Sequence, residues 1–252
     1  MAATPDKQAR QRSLQCALGK PAIACEDCGL YHLCLQDAQG RMEGRRIRPP
    51  HLETLHAPRG DFLVTAGAPF RYVYAVRTGA MEICLPHEDG PVDVLGFAFP
   101  GERLGMEALG LGYYPYAIRA LEHTILCAFD LRSLAQGRSG SRRLYAALLR
   151  LMSEDFQRLQ SSYIALRGLQ VMARLSTILL DFAGRIGKVK DTSSQLNLPM
   201  TRTELANFLG MAPETLCRAL QQLENDRIIR VHGRRIRILD QRRLERLVPR
   251  QP

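Results

Sequence analysis

Apolar residues along this chain change their spacing three times, and each change predicts a different structure. Between residues 50 and 140 they come in short runs, among them Phe62-Leu63-Val64, Tyr72-Val73-Tyr74-Ala75-Val76 and Ile125-Leu126-Cys127-Ala128-Phe129. Turn-forming residues separate the runs at Arg59-Gly60-Asp61, Thr78-Gly79, Asp89-Gly90 and Pro100-Gly101. Many short strands between such punctuation predict a small antiparallel β-barrel or jelly roll.

The spacing then lengthens. From Ser141 to about Arg167 there is no Gly or Pro, and Tyr145, Leu149, Met152, Phe156, Leu159, Tyr163 and Leu166 recur at alternating steps of four and three. That heptad stripe predicts a long helix that meets a second copy of itself. A second stripe, Leu144, Leu148 and Leu151, begins beside it. Two stripes predict two partners, the chain's own barrel and a second protomer. Gly168-Leu169-Gln170 interrupts the pattern and reads as a domain boundary and hinge. A further amphipathic stretch runs from Leu169 to Gly184, and the polar residues Gly187 to Asn197 read as a loop or wing-like connection.

The third pattern starts at Met200. Thr201 can cap a helix with Glu204 as capping-box partner. Gly210 can end that helix, and Pro213 with Glu214 can start the next. Two short helices joined through a glycine predict a helix-turn-helix. In the second helix Leu216, Leu220 and Leu223 share one side, while Glu214, Cys217, Arg218 and Gln221 share the other. That polar side is the one a recognition helix offers to the major groove, where Arg pairs with guanine and Glu accepts from cytosine. Thr201 and Arg202, at the start of the first helix, are further candidate DNA contacts. From Arg227 to Leu239 the chain alternates around Gly233 with basic outer positions, as a two-stranded wing does.

The expected fold is therefore α+β. It comprises a cysteine-rich segment (1–40), a β-barrel (41–140), a dimerisation helix (141–168) and a winged helix-turn-helix (169–252). Charge supports that division. The chain carries 35 Lys/Arg against 25 Asp/Glu, a net +10, and residues 167–252 hold 16 of the former against 8 of the latter. A basic C-terminal third implies a polyanion partner, here double-stranded DNA. No apolar run approaches the roughly 18–20 residues of a membrane span, and the N-terminus lacks the apolar region of a signal peptide. A cytoplasmic protein is the expectation, in which the seven cysteines stay reduced.

Reduced thiols turn attention to Cys25, Cys28 and Cys34, three within ten residues, with Cys127 as a distant fourth. Four thiolates suit zinc or an iron–sulfur cluster, and spacing alone leaves both open. Gly29, directly after Cys28, leaves little side-chain cover beside that thiol. Cys84 reads as a small buried apolar residue and Cys16 as a spare thiol. A thiol-redox regulator using Cys16 or Cys217 is a further reading. No nucleophile–base pair, phosphate-cradling Gly loop or His-rich site is present, so an enzyme is not expected.

Barrel, long helix and winged helix-turn-helix in this order resemble the CRP/FNR family of bacterial transcription regulators over nearly the whole chain. The resemblance implies a cyclic-nucleotide-binding-like barrel, a homodimer and recruitment of RNA polymerase, for which His87-Glu88-Asp89-Gly90 is a candidate contact. The cAMP-binding branch carries a Gly-Glu segment and an Arg-Ser-Ala segment. This chain keeps Gly101-Glu102 but has Pro115-Tyr116-Ala117 at the second place, and Arg119 is out of register. cAMP binding is therefore not expected. The FNR branch has Cys-x2-Cys-x5-Cys and a cysteine late in the barrel, which Cys25, Cys28, Cys34 and Cys127 match. That likeness implies a [4Fe–4S] cluster in preference to zinc, oxygen sensing and a TTGAT-like inverted repeat. The FNR-type Glu-x-x-Ser-Arg stands here as Glu214-Thr-Leu-Cys217-Arg218, so the base met by the serine is not implied.

Overall fold

Short strands, several of them buried on both faces, build two facing antiparallel sheets in the computed structural model, which describes residues 27–31, 52–87, 92–130, 141–166, 170–190 and 195–248. The strands are β1 (Leu52–Ala57), β2 (Phe62–Val64), β3 (Val73–Thr78), β4 (Met81–Leu85), β5 (Asp93–Ala98), β6 (Arg103–Leu104), β7 (Ala117–Ala120) and β8 (Thr124–Phe129). One sheet has the order β1-β8-β3-β6 and the other β2-β7-β4-β5. A single helical turn, α1 (Ala108–Leu111), lies between β6 and β7. Tyr74, Val76, Met81, Ile118 and Leu126 fill the space between the sheets, while Val73 and Phe129 are buried on the other face of the first sheet. This is the expected jelly-roll barrel.

Gly79 shows why the turns need glycine. Its φ is +85°, and a Cβ there would lie 2.4 Å from the Thr124 hydroxyl oxygen and 2.7 Å from the His123 carbonyl. The Thr124 hydroxyl donates to the Ala80 carbonyl at 3.1 Å, tying the β3–β4 turn to β8.

The long helix α2 (Ser141–Leu166) forms as the heptad stripe predicts. Leu148 and Leu151 are buried against the barrel core, whereas Leu149, Met152, Phe156 and Leu159 are exposed. The side chains of Leu144, Tyr145, Tyr163 and Leu166 lie outside those described. The next helix, α3 (Val171–Lys190), corrects one expectation: it runs straight through Gly184 and Gly187, where a loop was expected to begin. A helical glycine costs about 1 kcal/mol relative to alanine. Burial of Leu175, Leu179 and Phe182, with anchoring of Arg185 to the barrel, offsets that cost. The connection also contains a strand, β9 (Gln195–Asn197).

The remaining elements are α4 (Arg202–Phe208), α5 (Pro213–Asn225), β10 (Ile229–His232), β11 (Arg235–Ile238) and α6 (Gln241–Arg246). The strands form a three-stranded sheet, β10-β11-β9. No helix among the described residues is long and apolar enough to cross a membrane.

The two halves share apolar packing. Phe97 and Phe99 of the barrel meet Phe182 of α3 edge-on at ring-centroid distances of 6.0 and 5.3 Å, and Phe97 meets Phe208 of α4 at 5.2 Å. The Asn207 side-chain oxygen accepts from the Val94 N–H at 2.7 Å.

Candidate cysteine site and nucleic-acid interface

Residues 27–31 form a short turn laid against the barrel. The Gly29 N–H donates to the Gly101 carbonyl at 2.7 Å, and the Tyr31 N–H closes the turn on the Cys28 carbonyl at 2.9 Å. Leu30 is fully buried in the barrel core, and Cys28 packs partly buried beside it. The cysteine-bearing turn therefore has apolar and backbone support of its own, independent of any metal. A buried leucine alone stabilises such a turn by about 2 kcal/mol. It also gives Gly29 another role: a Cβ there would lie 2.9 Å from the Gly101 carbonyl oxygen, so the close backbone approach demands glycine.

Cys127 sits half-buried on β8. Its register partner on β3 is Ala75, and the partner of Ala75 on β6 is Arg103. Directly opposed residues in antiparallel strands point to the same face. Cys127 and Arg103 therefore share one face of the sheet. The Arg103 guanidinium reaches the Gly29 carbonyl at 3.5 Å, beside Cys28, and the Leu151 carbonyl of α2 at 2.8 Å. Cys28 and Cys127 thus belong to one side of the barrel, the side covered by the turn and α2. Their soft donor chemistry fits a thiolate-bound metal or cluster. Cys16, Cys25 and Cys34 lie outside the described residues. Among the described residues no group of three or more metal-ligating side chains occurs.

The other described cysteines differ in setting. Cys84 is buried, and burial, followed by the neighbouring Glu82, pushes its thiol up to about 11. Cys217 is exposed on α5.

Glu102 of the Gly101-Glu102 segment is engaged by protein groups. Glu102 takes both Arg185 Nε and Nη2 at 2.7 Å, one on each carboxylate oxygen. Arg185 Nη2 also donates to the Phe97 carbonyl at 2.6 Å, and its guanidinium lies 4.8 Å from the Phe99 ring centroid. Burial works against the Arg185 charge, but the Glu102 hydrogen bonds outweigh it and raise its pKa. Tyr116 donates to Glu107. Arg119 extends away from the barrel interior, to Glu82 of β4 and Glu204 of α4, each at 2.9 Å.

The helix-turn-helix forms as its caps predict. The Thr201 side chain accepts from the Glu204 N–H, and the Glu204 carboxylate accepts from the Thr201 N–H at 2.7 Å. Gly210 takes φ +62° and the Met211 N–H bonds the Ala206 carbonyl, which ends α4 in a left-handed turn. Pro213 then opens α5. Leu216, Leu220 and Leu223 are buried, while Glu214, Cys217, Arg218 and Gln221 are exposed together. Two candidate contacts have internal duties. Thr201 serves the cap, and Arg202 donates to the Gly233 carbonyl at 2.7 Å, where burial lowers its pKa. On the wing, Arg230, Arg235 and Arg237 are exposed while Ile229, Ile236 and Ile238 are buried. Gly233 turns the hairpin at φ +58°.

Arg103, Glu102, Arg185, Arg119 and Asn207 were not singled out by their sequence neighbourhoods for these roles. The Asp181–Arg185 pair at i,i+4, 2.8 Å apart, carried a local signal of helix continuity that could have extended α3.

Comparison with known proteins agrees with this geometry. Residues 54–138 match the model of the cyclic nucleotide-binding domain, and residues 173–247 that of the Crp-like helix-turn-helix domain. The chain is 30% identical to the transcriptional activator protein anr of Pseudomonas aeruginosa, over 87% of this chain and 90% of that one. It is 26% identical to the fumarate and nitrate reduction regulatory protein of Escherichia coli, over 87% and 88%. Its backbone resembles FixK2 from Bradyrhizobium japonicum with a TM-score of 0.71 at 23% identity, covering 80% of this chain and 99% of that one.

Proposed function

The chain belongs to the CRP/FNR family of transcription regulators, and from that premise we propose that it regulates gene expression in response to oxygen through a [4Fe–4S] cluster held by Cys25, Cys28, Cys34 and Cys127. The observation that carries the reading is the shared face: the register that aligns Cys127 with Arg103 puts it on the side where the Cys28 turn docks. When bound, such a cluster would supply an oxygen-labile link between the N-terminal segment and β8.

The chain's own residues supply the rest. Segment 1–40 serves as the sensing element, 41–140 as its platform, 141–168 as the dimer contact and 169–252 as the DNA reader. The exposed row Leu149, Met152, Phe156 and Leu159 supports a homodimer whose seam Tyr145, Tyr163 and Leu166 extend by their spacing. A dimer brings two α5 helices to successive major grooves, about 34 Å apart on an inverted repeat. Arg218 and Glu214 on each α5 suit the G·C part of a TTGAT-like half-site. Cys217 and Gln221 meet the adjoining bases, and Thr201 and Arg202 stand near the phosphates. RNA polymerase is the partner once the dimer is docked. Within the candidate polymerase contact, Glu88, Asp89 and Gly90 lie outside the described residues.

Purification without oxygen tests the cofactor. A brown protein with about four irons per chain that bleaches in air, and whose DNA affinity falls as it bleaches, is the expected result. A colourless protein holding zinc would replace this reading with a metal staple that does not sense oxygen. Undiminished oxygen-responsive binding by Cys28→Ala would overturn the cluster mechanism.

A further inference from the structure

Three consecutive residues touch three different parts of the molecule. The Gly101 carbonyl accepts from Gly29 of the cysteine turn at 2.7 Å. The Glu102 carboxylate holds Arg185 of α3, which belongs to the DNA-reading half. Arg103 holds α2: its Nε donates to Asp155 at 2.9 Å, and its Nη2 to the Leu151 carbonyl at 2.8 Å and to Glu154 at 3.1 Å. We propose that the Gly101-Glu102-Arg103 loop is a branch point, through which the cysteine turn acts on the dimer helix by Arg103 and, separately, on the DNA-reading half by Glu102.

The proposal rests on the reading of the cysteine turn as the sensing element, and it adds a second output to that reading. Dimerisation alone would need only the Arg103 branch. The Glu102 branch gives the turn a route to the DNA-reading half that bypasses the helix seam.

The physical case is one of stiffness and alternatives. The loop cannot flex independently of β3: the Gly101 N–H bonds the Val76 carbonyl at 2.8 Å, and the Val76 N–H bonds the Glu102 carbonyl at 2.9 Å. Moving Gly101 therefore moves both neighbouring side chains. Each of those is a directional, charge-assisted anchor. The Arg103 side chain is only 5% exposed, so a shift that costs it Asp155 leaves a buried cation short of a partner. Glu102 is fixed further by the Phe99 N–H at 3.0 Å, and Arg185 by the Phe97 carbonyl and Asp181. Interfaces of this kind change between discrete arrangements rather than yielding continuously.

Gly29 gives a way to push the turn without touching a cysteine. A Cβ there would sit 2.9 Å from the Gly101 carbonyl oxygen and 3.4 Å from Arg103 Nη1. In the full-length protein, handled without oxygen, Gly29→Ala is expected to speed amide exchange roughly tenfold at three places: Phe99–Arg103, Leu151–Asp155 of α2 and Asp181–Ile186 of α3. Adding Gly29→Ala to Arg103→Gln should then leave α2 without further change while α3 still responds. Adding it to Arg185→Gln should do the reverse. Leu30→Ala loosens the same turn by emptying its core socket and should reproduce the pattern if Gly29→Ala fails to fold. Strictly additive effects, or a response confined to residues 27–31, would overturn the branch point. Iron content read on the same samples keeps the two readings apart. A brown protein with additive effects sinks the branch point alone, and a colourless protein with the coupled pattern sinks only the cluster.

Discussion

Arg119 on β7 crosses from the barrel to Glu204 at the start of α4, 2.9 Å away, while also neutralising Glu82 on its own sheet at the same distance. Glu82 is fully buried, and its second carboxylate oxygen has no hydrogen-bond partner among the described residues. The guanidinium therefore supports the barrel and holds the DNA-reading half to it.

Removing that cation should be costly. Arg119→Ala leaves a buried carboxylate unpaired and is expected to destabilise the protein by about 3 kcal/mol in urea unfolding. Adding Glu82→Gln to Arg119→Ala removes the orphan charge and should recover more than half of the loss. A cost below about 1 kcal/mol for the single variant would show that Glu82 finds another partner.

The same carboxyl makes stability depend on pH. Burial raises the Glu82 pKa above its ordinary 4.5; Arg119 opposes the rise and Glu204 adds to it. A carboxyl raised in the folded state favours folding while protonated. Its contribution is full below pH 4.5 and is lost as pH climbs through the folded value. Glu82→Gln should therefore lose less stability than the parent between pH 4.5 and pH 8, read as the difference in unfolding midpoint. Parallel pH curves for the two proteins would refute the assignment.

Helix α2 has two faces with different tasks. Leu151→Ala empties a buried site and should cost about 2–5 kcal/mol of fold stability. Phe156 is 62% exposed, so Phe156→Asp should leave the melting temperature of the barrel within about 2 °C of the parent. It should nevertheless weaken self-association at least tenfold in sedimentation, because one lost aromatic contact occurs on each side of the seam. An unchanged dimer would move the interface elsewhere.

On DNA, the recognition helix and wing should separate by salt. Arg218→Ala is expected to lose about 1–3 kcal/mol and to relax preference at one G·C position. Arg237→Gln, on the exposed wing face, should weaken binding to all sequences alike and lower the salt slope by about one. Both are read by fluorescence anisotropy across a salt series. Equal loss on specific and random DNA for Arg218→Ala would remove it from base reading.

Local rules made much of this molecule legible. Thr201, Glu204, Gly210 and Pro213 each act within four residues of their partners, so the helix-turn-helix was written in the sequence. The heptad spacing likewise separated Leu148 and Leu151 from Leu149 and Phe156. What the sequence hid lies between distant residues. Glu102 and Arg185 are 83 positions apart, and Arg103 and Asp155 are 52 apart. No periodicity links such pairs, and Glu102 looked like the remnant of a phosphate site because its partner was invisible. The buried Leu30 was illegible for a related reason: Leu30, Leu33 and Leu35 stand three and then two positions apart and keep no single period.

The aromatic contacts among Phe97, Phe99, Phe182 and Phe208 mean that the DNA-reading half does not own its whole core. Val94, Phe97, Phe99 and Leu121 of the barrel belong to the same apolar cluster as Leu175, Phe182 and Leu205. A reader cut away near residue 170 would carry a sticky wound where those side chains had been. Grafting it onto a foreign sensor would demand a matching apolar patch there. Barrel and DNA reader are, in this chain, cut to fit each other, and replacing either one would strand the apolar side chains of the other.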